Sequence, residues 1–432
     1  MSPEIVSDLT STLSAIRTLT RRMVDFWLEN GIDKDSGGYF TCFDENGKPL
    51  EQPEKYLVTQ TRMIWALAAL SKAHSDSPVA GRRSDLLRAA EQGYEFLLKY
   101  FWDKERGGWN WKTRPNGTVL DAGKIVYGQS FAIYALCEYA DATGNTQALE
   151  YADRTFDLLQ RYAVDTYRGG YFENFEADWR LSAQGFAGGD RKTLDVHMHI
   201  MEALTPLARL TGKDVHRRKL EESIALIVDR MIDPASGAGR NHFDVFFNVI
   251  PAISIKRTWN AERSVGEAID TPTDTTSYGH NIELSWLMGR ALETAQLSPE
   301  VYEPVMRRLV DHALSHGFDH QLGGMYRDGT HDGDVLVSDK EWWQNAESLV
   351  GLLDAFQRFG DSEYLEAFLK LWRFAQQYFI DERTGEWHQL LDRVGRVVDG
   401  TIGNPWKGFY HTGRSMIECE SRLKRITQDV AV

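Results

Sequence analysis

The 432-residue chain has few cysteines and none of the common short motifs of metal or nucleotide sites. Cys42, Cys137 and Cys419 are widely spaced and form no Cys-x-x-Cys pair, which favours a reducing, cytoplasmic location without a disulfide framework. The sequence contains no His-Glu-x-x-His, no Gly-x-x-x-x-Gly-Lys-Ser/Thr and no Gly-x-Gly-x-x-Gly after a strand. We therefore predict neither a metal ion nor a nucleotide or other cofactor.

Long apolar runs and an excess of positive charge are also missing. The longest apolar run, 63–70, is far shorter than the ~20 residues that span a bilayer, and residues 1–19 do not resemble a signal peptide. With 49 Lys and Arg against 63 Asp and Glu, the formal net charge is −14, whereas sequence-independent nucleic-acid binders need a basic surface. We therefore predict no membrane partner, no nucleic-acid partner, and a monomer or weak homodimer.

Aromatic side chains, in contrast, are abundant: the sequence has 13 Trp, 17 Tyr and 20 Phe. Aromatic residues bury the largest area per side chain, so much of this content belongs in a core. Flat rings with polar edges also suit the mixed faces of a sugar. Composition alone leaves open how the rings divide between a core and a cleft.

The clearest pattern is a repeated Asp-x-x-x-Gly motif, often followed by Gly and an aromatic residue. The first glycines of successive copies are separated by 70, 62, 68, 86 and 62 residues. Each copy follows a segment whose apolar residues recur at three- and four-residue steps, as in an amphipathic helix that ends at a glycine. Near-regular spacing indicates one supersecondary unit used six times. The motifs begin at Asp33, Asp103, Asp165, Asp233, Asp319 and Asp381.

A second helical segment follows each motif after a loop, which predicts six helical hairpins. Their helices are predicted at 6–29 and 55–75, 82–101 and 122–143, 146–163 and 190–212, 215–232 and 277–296, 299–316 and 339–359, and 361–380 and 406–428. Twelve helices with one apolar stripe each can bury those stripes by closing into two concentric rings. We therefore predict an all-α (α/α)6 barrel as a single domain over 1–432, with an open α-solenoid as the alternative. The long segment 240–276 is interpreted as a rim or lid insertion.

Polar and aromatic residues that open the second helix of each pair share one phase of the repeat. In a barrel these positions converge on one rim, where helix N-termini also favour an anionic intermediate. A single His or Arg at such a position is more often structural, but the shared phase favours a functional interpretation of the set. The set contains Arg62, Tyr127, His199, His280, Glu283, Trp342, Trp343 and His411.

Several of these segments resemble the N-acylglucosamine 2-epimerase superfamily, and within it most closely the cellobiose 2-epimerases. The most specific are Gly-His-Asn-Ile-Glu-Leu-Ser-Trp at 279–286, Trp-Trp-Gln-Asn-Ala-Glu at 342–347 and Trp-Lys-Gly-Phe-Tyr-His at 406–411. The resemblance implies an (α/α)6 barrel and cofactor-free inversion or isomerisation at C2 of a reducing sugar, a small-molecule partner. Three positions depart from the family pattern: Asp195 replaces a usual Asn, Asn281 a common Asp, and Gly408-Phe409 a usual Cys-Pro.

Chemistry at C2 suggests a role for each candidate residue. The C2 hydrogen becomes acidic only after the sugar ring opens to an aldehyde; a base then forms an enediolate, and an acid on the opposite face returns a proton. Imidazole suits both tasks, so we assign them to His280 and His411, and ring opening to His199. Arg62 is expected to stabilise the oxyanion, and Glu283 to orient His280 or hold a sugar hydroxyl. The candidate substrate-binding residues are Tyr127, Asp195, Trp343, Trp406 and Glu347.

Other functions fit the same predicted fold. Glycoside hydrolysis would use paired carboxylates, for which Asp195, Asp274, Glu283 and Glu347 are candidates, although it explains three rim histidines and an arginine poorly. A non-catalytic sugar- or protein-binding barrel is a further alternative. Within the superfamily, a mannose isomerase or a mannose/glucose 2-epimerase competes with a disaccharide epimerase, and the sequence leaves that choice open.

Overall fold

The computed structural model describes residues 3–51, 53–183, 189–255 and 267–430, and these contain twelve α-helices. A π-helical turn extends α3, α9 and α11, at Leu97–Phe101, Ala313–Gly317 and Ala375–Phe379, and a short 3₁₀ turn, Ala80–Arg82, precedes α3. None of the described helices combines the length and apolar composition needed to cross a membrane. The helices are α1 (Pro3–Asn30), α2 (Leu57–Ser71), α3 (Arg83–Phe96), α4 (Val126–Thr143), α5 (Thr146–Tyr162), α6 (Leu194–Thr211), α7 (Asp214–Arg230), α8 (Tyr278–Ala295), α9 (Pro299–His312), α10 (Trp342–Phe359), α11 (Ser362–Phe374) and α12 (Tyr410–Val430).

The even-numbered helices form a closed inner ring, and the odd-numbered helices surround it. Each inner helix packs on the next, and α12 packs on α2, which closes the ring. Burial follows this arrangement: 15 of the 18 residues of α8 are buried, against five of the 17 residues of the outer helix α7. The apolar core fills the space between the rings. The predicted (α/α)6 barrel is therefore confirmed, and the open solenoid is excluded because its first and last inner helices would not meet.

The closest helix pairs differ from those expected from the sequence. Among the outer helices, the main partner of an inner helix is the one that follows it, as α5 is for α4, and α1 packs on α12. Only two residues separate α4 from α5, so these helices must lie antiparallel and in contact. The long connections instead cross the rim from one outer helix to the next inner helix.

These long connections carry short antiparallel strands that the all-α prediction missed, because most of them have two to four residues and show no readable alternation. The strands β1, β4, β6, β10 and β13 each lead directly into an inner helix and pair with a strand of the next repeat. Within the described residues, a discontinuous ring of small sheets therefore links the repeats at the rim. The strands are β1 (Lys55–Tyr56), β2 (Lys112–Thr113), β3 (Val119–Asp121), β4 (Lys124–Ile125), β5 (Asn174–Phe175), β6 (Arg191–Thr193), β7 (His242–Asp244), β8 (Ala252–Ile255), β9 (Glu267–Thr273), β10 (Thr275–Ser277), β11 (Asp328–Thr330), β12 (Val335–Val337), β13 (Lys340–Glu341), β14 (Leu390–Leu391) and β15 (Val397–Asp399).

The repeated Asp-x-x-x-Gly motif forms a turn after each outer helix, and in four of the six copies its aspartate pairs with a buried lysine. In the first copy, Asp33 Oδ1 accepts the amide of Ser36 at 2.9 Å, and its Oδ2 lies 2.8 Å from Lys55 Nζ. Gly37 has a φ of +85°, which a side chain would strain. Because Lys55 lies just before α2, the ion pair fixes the start of that inner helix. Equivalent pairs are Asp103 with Lys124, Asp165 with Lys192 and Asp319 with Lys340. The other two aspartates pair with arginines that are more exposed, Asp233 with Arg240 and Asp381 with Arg383.

In its described residues, the insertion 240–276 contains regular secondary structure. It contains β7, β10 and an antiparallel hairpin formed by β8 and β9. Its segment 256–266 lies outside the described residues. The suggested lid role of this insertion stays a prediction.

Candidate active site

A cavity opens at the rim where the inner helices begin, and its empty volume, including the open mouth, is about 390 Å³. Nine of the ten site residues predicted from the sequence line it. Glu347 is the exception, because it lies behind His411 and is fully buried. The lining residues are Arg62, Tyr127, Asp195, His199, His280, Glu283, Trp342, Trp343, Trp406 and His411.

Most of these side chains occupy the second or sixth position of an inner helix. The two positions are four residues apart, so they lie on one helix face. In α6 they hold Asp195 and His199. Because the inner helices begin at a similar level, these positions project towards the common axis, which explains why the residues converge.

The fourth position of the inner helices has a structural role instead. In α2, Gln60 accepts the amide of Tyr39 at 2.9 Å and donates to the carbonyl of the same residue, also at 2.9 Å. In α6 this position holds His197, whose Nε2 accepts the amide of Tyr171 at 3.0 Å and whose Nδ1 donates to the Thr193 carbonyl at 2.8 Å. Both ring nitrogens of His197 therefore bind backbone, although it lies two residues from His199.

His199 is held by two carboxylates. Its Nδ1 lies 2.7 Å from Glu202 Oε2, and its Nε2 lies 3.2 Å from Asp195 Oδ1. The ring of Tyr127 meets it edge-on at 5.1 Å. Burial disfavours the charged ring, but Tyr127 and the two carboxylates outweigh it and raise the pKa of His199 well above its usual value. His199 is therefore suited to act as an acid near neutral pH.

His411 has the opposite environment. Its Nδ1 lies 2.7 Å from Glu347 Oε1, and one hydrogen is held between these atoms. Burial and the positive charges of Arg62 and Arg414 lower the pKa of His411 well below its usual value. In the tautomer in which Nδ1 donates to Glu347, the neutral ring offers Nε2 as a base.

Arg414 lies beneath the cavity and binds three carboxylates from three inner helices. Its Nη2 is 2.7 Å from Glu347 Oε1, and the guanidinium also pairs with Glu202 and Glu283. Although burial opposes ionisation, Arg414 and His199 lower the pKa of Glu202 to about 2. Burial and the charge of Glu283 raise the pKa of Glu347 to about 8. The cluster therefore holds carboxyl groups in different protonation states around one cation.

The same carboxylates raise the question of a metal ion. Two groups, one of His199, Glu202 and Glu283 and one of Glu283, Glu347 and His411, have potential ligand atoms within 4.8 Å of one another. Arg414 already pairs with all three carboxylates, so their charges are balanced by a guanidinium. This donor set fits an arginine better than a divalent cation.

Arg62 and His280 complete the cavity wall. Arg62 Nη2 donates to the Tyr127 hydroxyl at 2.8 Å, and its guanidinium lies 4.4 Å from the ring centre of Phe131. The ring of Trp343 lies 4.6 Å from that of His280 and 5.7 Å from that of His411. His280 and His411 therefore border the same cavity from different inner helices, and the indole of Trp343 lies next to both rings.

Glu202 and Arg414 have no role among the sequence predictions. Each lies three residues after a site histidine, a spacing that places both on the same helix side. The carboxylate partners of Arg414 come from three other helices, so these contacts carry no local signal in the sequence. In contrast, Asp274 pairs with Arg240 at 3.1 Å and His331 at 3.4 Å and is not among the lining residues.

Comparison with known proteins agrees with this geometry. The sequence model of the family described as N-acylglucosamine 2-epimerase (GlcNAc 2-epimerase) matches residues 38–415. The chain is 29% identical to a cellobiose 2-epimerase of Bacteroides fragilis over 93% of this chain and 96% of that protein. It is 26% identical to a D-mannose isomerase of Marinomonas mediterranea over 93% and 94% of the two chains. The solved structure of cellobiose 2-epimerase from Spirochaeta thermophila superposes with a TM-score of 0.80 at 28% identity, covering 97% of this chain and 99% of that one.

Proposed function

The chain belongs to the N-acylglucosamine 2-epimerase family and is a carbohydrate epimerase or isomerase, and from that premise we propose that it inverts C2 of a reducing sugar without a cofactor. The proposed substrates are cellobiose-type disaccharides, inverted at the reducing-end residue, or related aldoses. The observation that carries the proposal is the pair of oppositely biased histidines at one cavity. Environments that favour protonated His199 and neutral His411 are those expected of an acid and a base in one site.

In the proposed mechanism, His199 opens the ring by donating a proton to the ring oxygen. Either His280 or His411 then removes the C2 proton, and the other returns a proton to the opposite face. Trp343 contacts both rings, which supports their action on one carbon atom. The same pair works in both directions, as a reversible epimerisation requires.

Arg62 and the remaining lining residues stabilise the intermediate and hold the sugar. The enediolate carries negative charge, and a fixed guanidinium in a cavity with little water stabilises it strongly. Trp343 and Trp406 are proposed to stack on sugar faces, with Tyr127 and Asp195 as hydroxyl contacts. Glu283 is proposed as a further polar contact, and Glu347 as the residue that orients His411.

A monosaccharide enzyme of the same family remains the second candidate, because the 26% identical D-mannose isomerase covers the chain nearly as fully as the disaccharide epimerases. Returning the proton to C1 rather than C2 would give a ketose with the same residues. Paired-carboxylate hydrolysis is less well supported, since Glu283 and Glu347 bind Arg414 and Asp274 is not among the cavity residues.

The test is to incubate the protein in deuterated water with cellobiose, glucose, mannose, fructose and N-acetylglucosamine and to analyse the products by NMR. Epimerisation places deuterium at C2 of the product, whereas formation of a ketose places it at C1. Release of a monosaccharide from cellobiose would support hydrolysis instead. Activity unchanged after treatment with a chelator is expected, because no step uses a metal.

Two variants test the histidine assignment. His280→Ala and His411→Ala are each expected to lower kcat by at least about 100-fold, the range of a general acid or base. The matched control is His316→Ala, at an exposed histidine away from the cavity. We expect this variant to retain wild-type turnover. Substantial turnover by either site variant with native circular dichroism would reject the two-histidine mechanism.

A further inference from the structure

The mouth of the cavity is marked by the two lining residues that are partly exposed, Trp406 and Asp195. The other eight lining side chains are buried. The ring of Trp406 lies 5.6 Å from the buried ring of Tyr127, so the indole reaches from the cavity towards the surface. A sugar chain that continues beyond the cavity therefore passes one of these two residues.

Two further aromatic rings continue from Trp406 along the rim. The ring centre of Trp111 lies 5.8 Å from that of Trp406, and the ring centre of Tyr56 lies 6.3 Å from that of Trp111. Trp111 and Tyr56 are partly exposed, and neither is among the residues that line the cavity. Trp406, Trp111 and Tyr56, here called the aromatic row, therefore begin at the mouth and extend outside it.

The backbone and α4 fix the position of Trp111. Its amide donates to the Asp121 carbonyl at 2.9 Å, and its carbonyl accepts the amide of Leu57 at 3.0 Å, where α2 begins. Gly128 on α4 leaves room for the indole, because a Cβ at this glycine would lie 3.0 Å from the ring. The indole is thus held in place before a ligand binds, which lowers the entropic cost of binding.

Polar groups border the outer end of the aromatic row. Lys112 Nζ lies 2.8 Å from Glu54 Oε2, and the Tyr56 hydroxyl donates to the same oxygen at 3.2 Å. Rings beside a few fixed donors and acceptors are typical of small-molecule sites, and they match the apolar faces and hydroxyl edges of a sugar. Core packing does not require the exposure of Trp111, since Trp109, two residues earlier, is fully buried.

We propose that Trp111 is a sugar platform outside the cavity, on which the second residue of a disaccharide stacks while the reducing-end residue lies among the histidines. This inference rests on the proposed function and narrows its substrates to disaccharides and longer chains. The outer indole supplies binding energy that a monosaccharide cannot use. Trp406 then contacts the sugar chain at the mouth, between the two residues.

The first test compares cellobiose with glucose as substrates of the wild-type protein. The two sugars present the same reducing-end residue, so they differ only in the residue assigned to Trp111. We expect kcat/KM to be at least about tenfold higher for cellobiose, because the second residue adds contacts. An equal or higher kcat/KM for glucose rejects the platform.

The second test separates stacking from packing with two variants of Trp111. Trp111→Phe keeps a flat ring, whereas Trp111→Leu keeps an apolar side chain against α4 but offers no ring face. For cellobiose we expect Trp111→Leu to raise KM at least about fivefold and Trp111→Phe less than about twofold, with kcat changed less than about threefold in both. Equal KM values for the two variants contradict a stacking role.

The matched control is Tyr167→Leu, at an exposed aromatic residue that is not among those lining the cavity. We expect this variant to keep the wild-type KM and kcat for cellobiose. A rise in KM as large as that of Trp111→Leu would show that loss of any surface ring has the same effect, and would reject the platform.

Binding without turnover provides a third measurement, by saturation-transfer NMR with cellobiose and the variant His411→Ala. Protons of the non-reducing residue are expected to receive saturation from the protein, and at least about twofold less after the additional change Trp111→Leu. Absence of saturation at that residue rejects the platform, and this result decides alone if a Trp111 variant does not fold.

The outcomes separate this inference from the proposed function. If the wild-type protein inverts or isomerises no aldose, the proposed function fails, and the platform with it. If it converts glucose or mannose at least as well as cellobiose, only the platform is rejected.

Discussion

Arg414 connects the supports of two proposed catalytic histidines. It binds Glu202, which contacts His199, and Glu347, which contacts His411. All of these side chains are almost fully buried, so water cannot compensate for a missing charge. One arginine therefore supports both the stability of the inner ring and the placement of the histidine rings.

Arg414→Gln is expected to destabilise the protein by about 3–5 kcal/mol, because it leaves buried carboxylates without their cation. Arg414→Lys is expected to fall between this variant and the wild type, since one ammonium group cannot match the guanidinium fork. Urea unfolding followed by circular dichroism measures both. The matched control is Arg88→Gln at the exposed ion pair with Asp85, where less than about 1 kcal/mol is expected. Equal stability of Arg414→Gln and Arg88→Gln would contradict the role of Arg414.

The opposite environments of His199 and His411 also predict a pH profile. In the direction of reaction in which His411 removes the C2 proton, turnover needs this ring neutral. Burial and nearby cations lower its pKa, so activity in that direction is lost only as the pH falls well below 6.5. Turnover also needs His199 protonated, and the pKa of that ring is raised despite burial, so activity is lost only as the pH rises well above 6.5. The kcat is therefore expected to be flat around neutral pH.

Steady-state kinetics across the pH range measure this profile. Glu202→Gln provides a directed change, because loss of a carboxylate beside His199 lowers the pKa of that ring and moves the alkaline limb to lower pH. A sharp optimum near pH 6.5 in the wild type would count against the assigned charge states.

At the scale of elements, the inner helices separate cavity positions from an anchoring position. Most cavity residues are second or sixth in their helix, while the fourth residue of α2, α4, α6, α8 and α10 binds the backbone of its own repeat. Gln60 and Gln129 form this anchor in α2 and α4, and His197 forms it in α6. His197 and His199 show that two histidines of one helix can differ in this way, since the first binds backbone and the second lines the cavity.

His197→Gln is expected to preserve stability, because glutamine makes the equivalent contacts in α2 and α4. His197→Ala is expected to cost about 1–3 kcal/mol, since the amide of Tyr171 then lies buried without an acceptor. Thermal and urea unfolding of the two variants provide the comparison. Identical losses in both would show that position four does not act as an anchor.

Elements with a long apolar pattern could be predicted from the sequence, and very short ones could not. Helices such as α5, predicted at 146–163 and found at Thr146–Tyr162, carry several turns of apolar periodicity. Two-residue strands such as β1 have no period to detect. The helix pairing was predicted across the long connections, whereas the tight packing occurs across the short ones.

Candidate site residues could be predicted where they occupy the same position in successive repeats. Contacts between residues of different helices could not be predicted in this way. His199 and His411 could be found by their place at the start of inner helices. The contact of Glu347 with His411 joins α10 to α12, so Glu347 was predicted as a substrate contact although it lies behind the ring. Arg414 was missed for the same reason.

At the scale of the whole molecule, closure of the ring depends on contacts between the first and last repeats. Trp27 on α1 stacks on Phe409 at 6.0 Å, and its indole donates to Glu386 at 2.7 Å. Phe43 and Gly403 form a β-bridge across the same junction. These contacts join segments more than 350 residues apart in sequence.

Trp27→Ala is expected to lower the free energy of unfolding by about 3–5 kcal/mol and to leave a single cooperative transition. Cooperativity follows because a closed ring lacks free ends from which repeats can unfold one by one. Circular dichroism and tryptophan fluorescence during urea unfolding should give coincident curves. Unfolding of Trp27→Ala at the same urea concentration as the wild type would indicate that the junction is not essential to the barrel.

The packing of α1 on α12 also has a consequence for synthesis on the ribosome. The apolar stripe of α1 is made first, but its partner begins 380 residues after α1 ends, at Tyr410. At about 5–20 residues per second, that delay is on the order of 20 to 75 seconds. The apolar stripe of α1 thus stays exposed to water for most of the synthesis of the chain. During this period, binding by chaperones competes with aggregation.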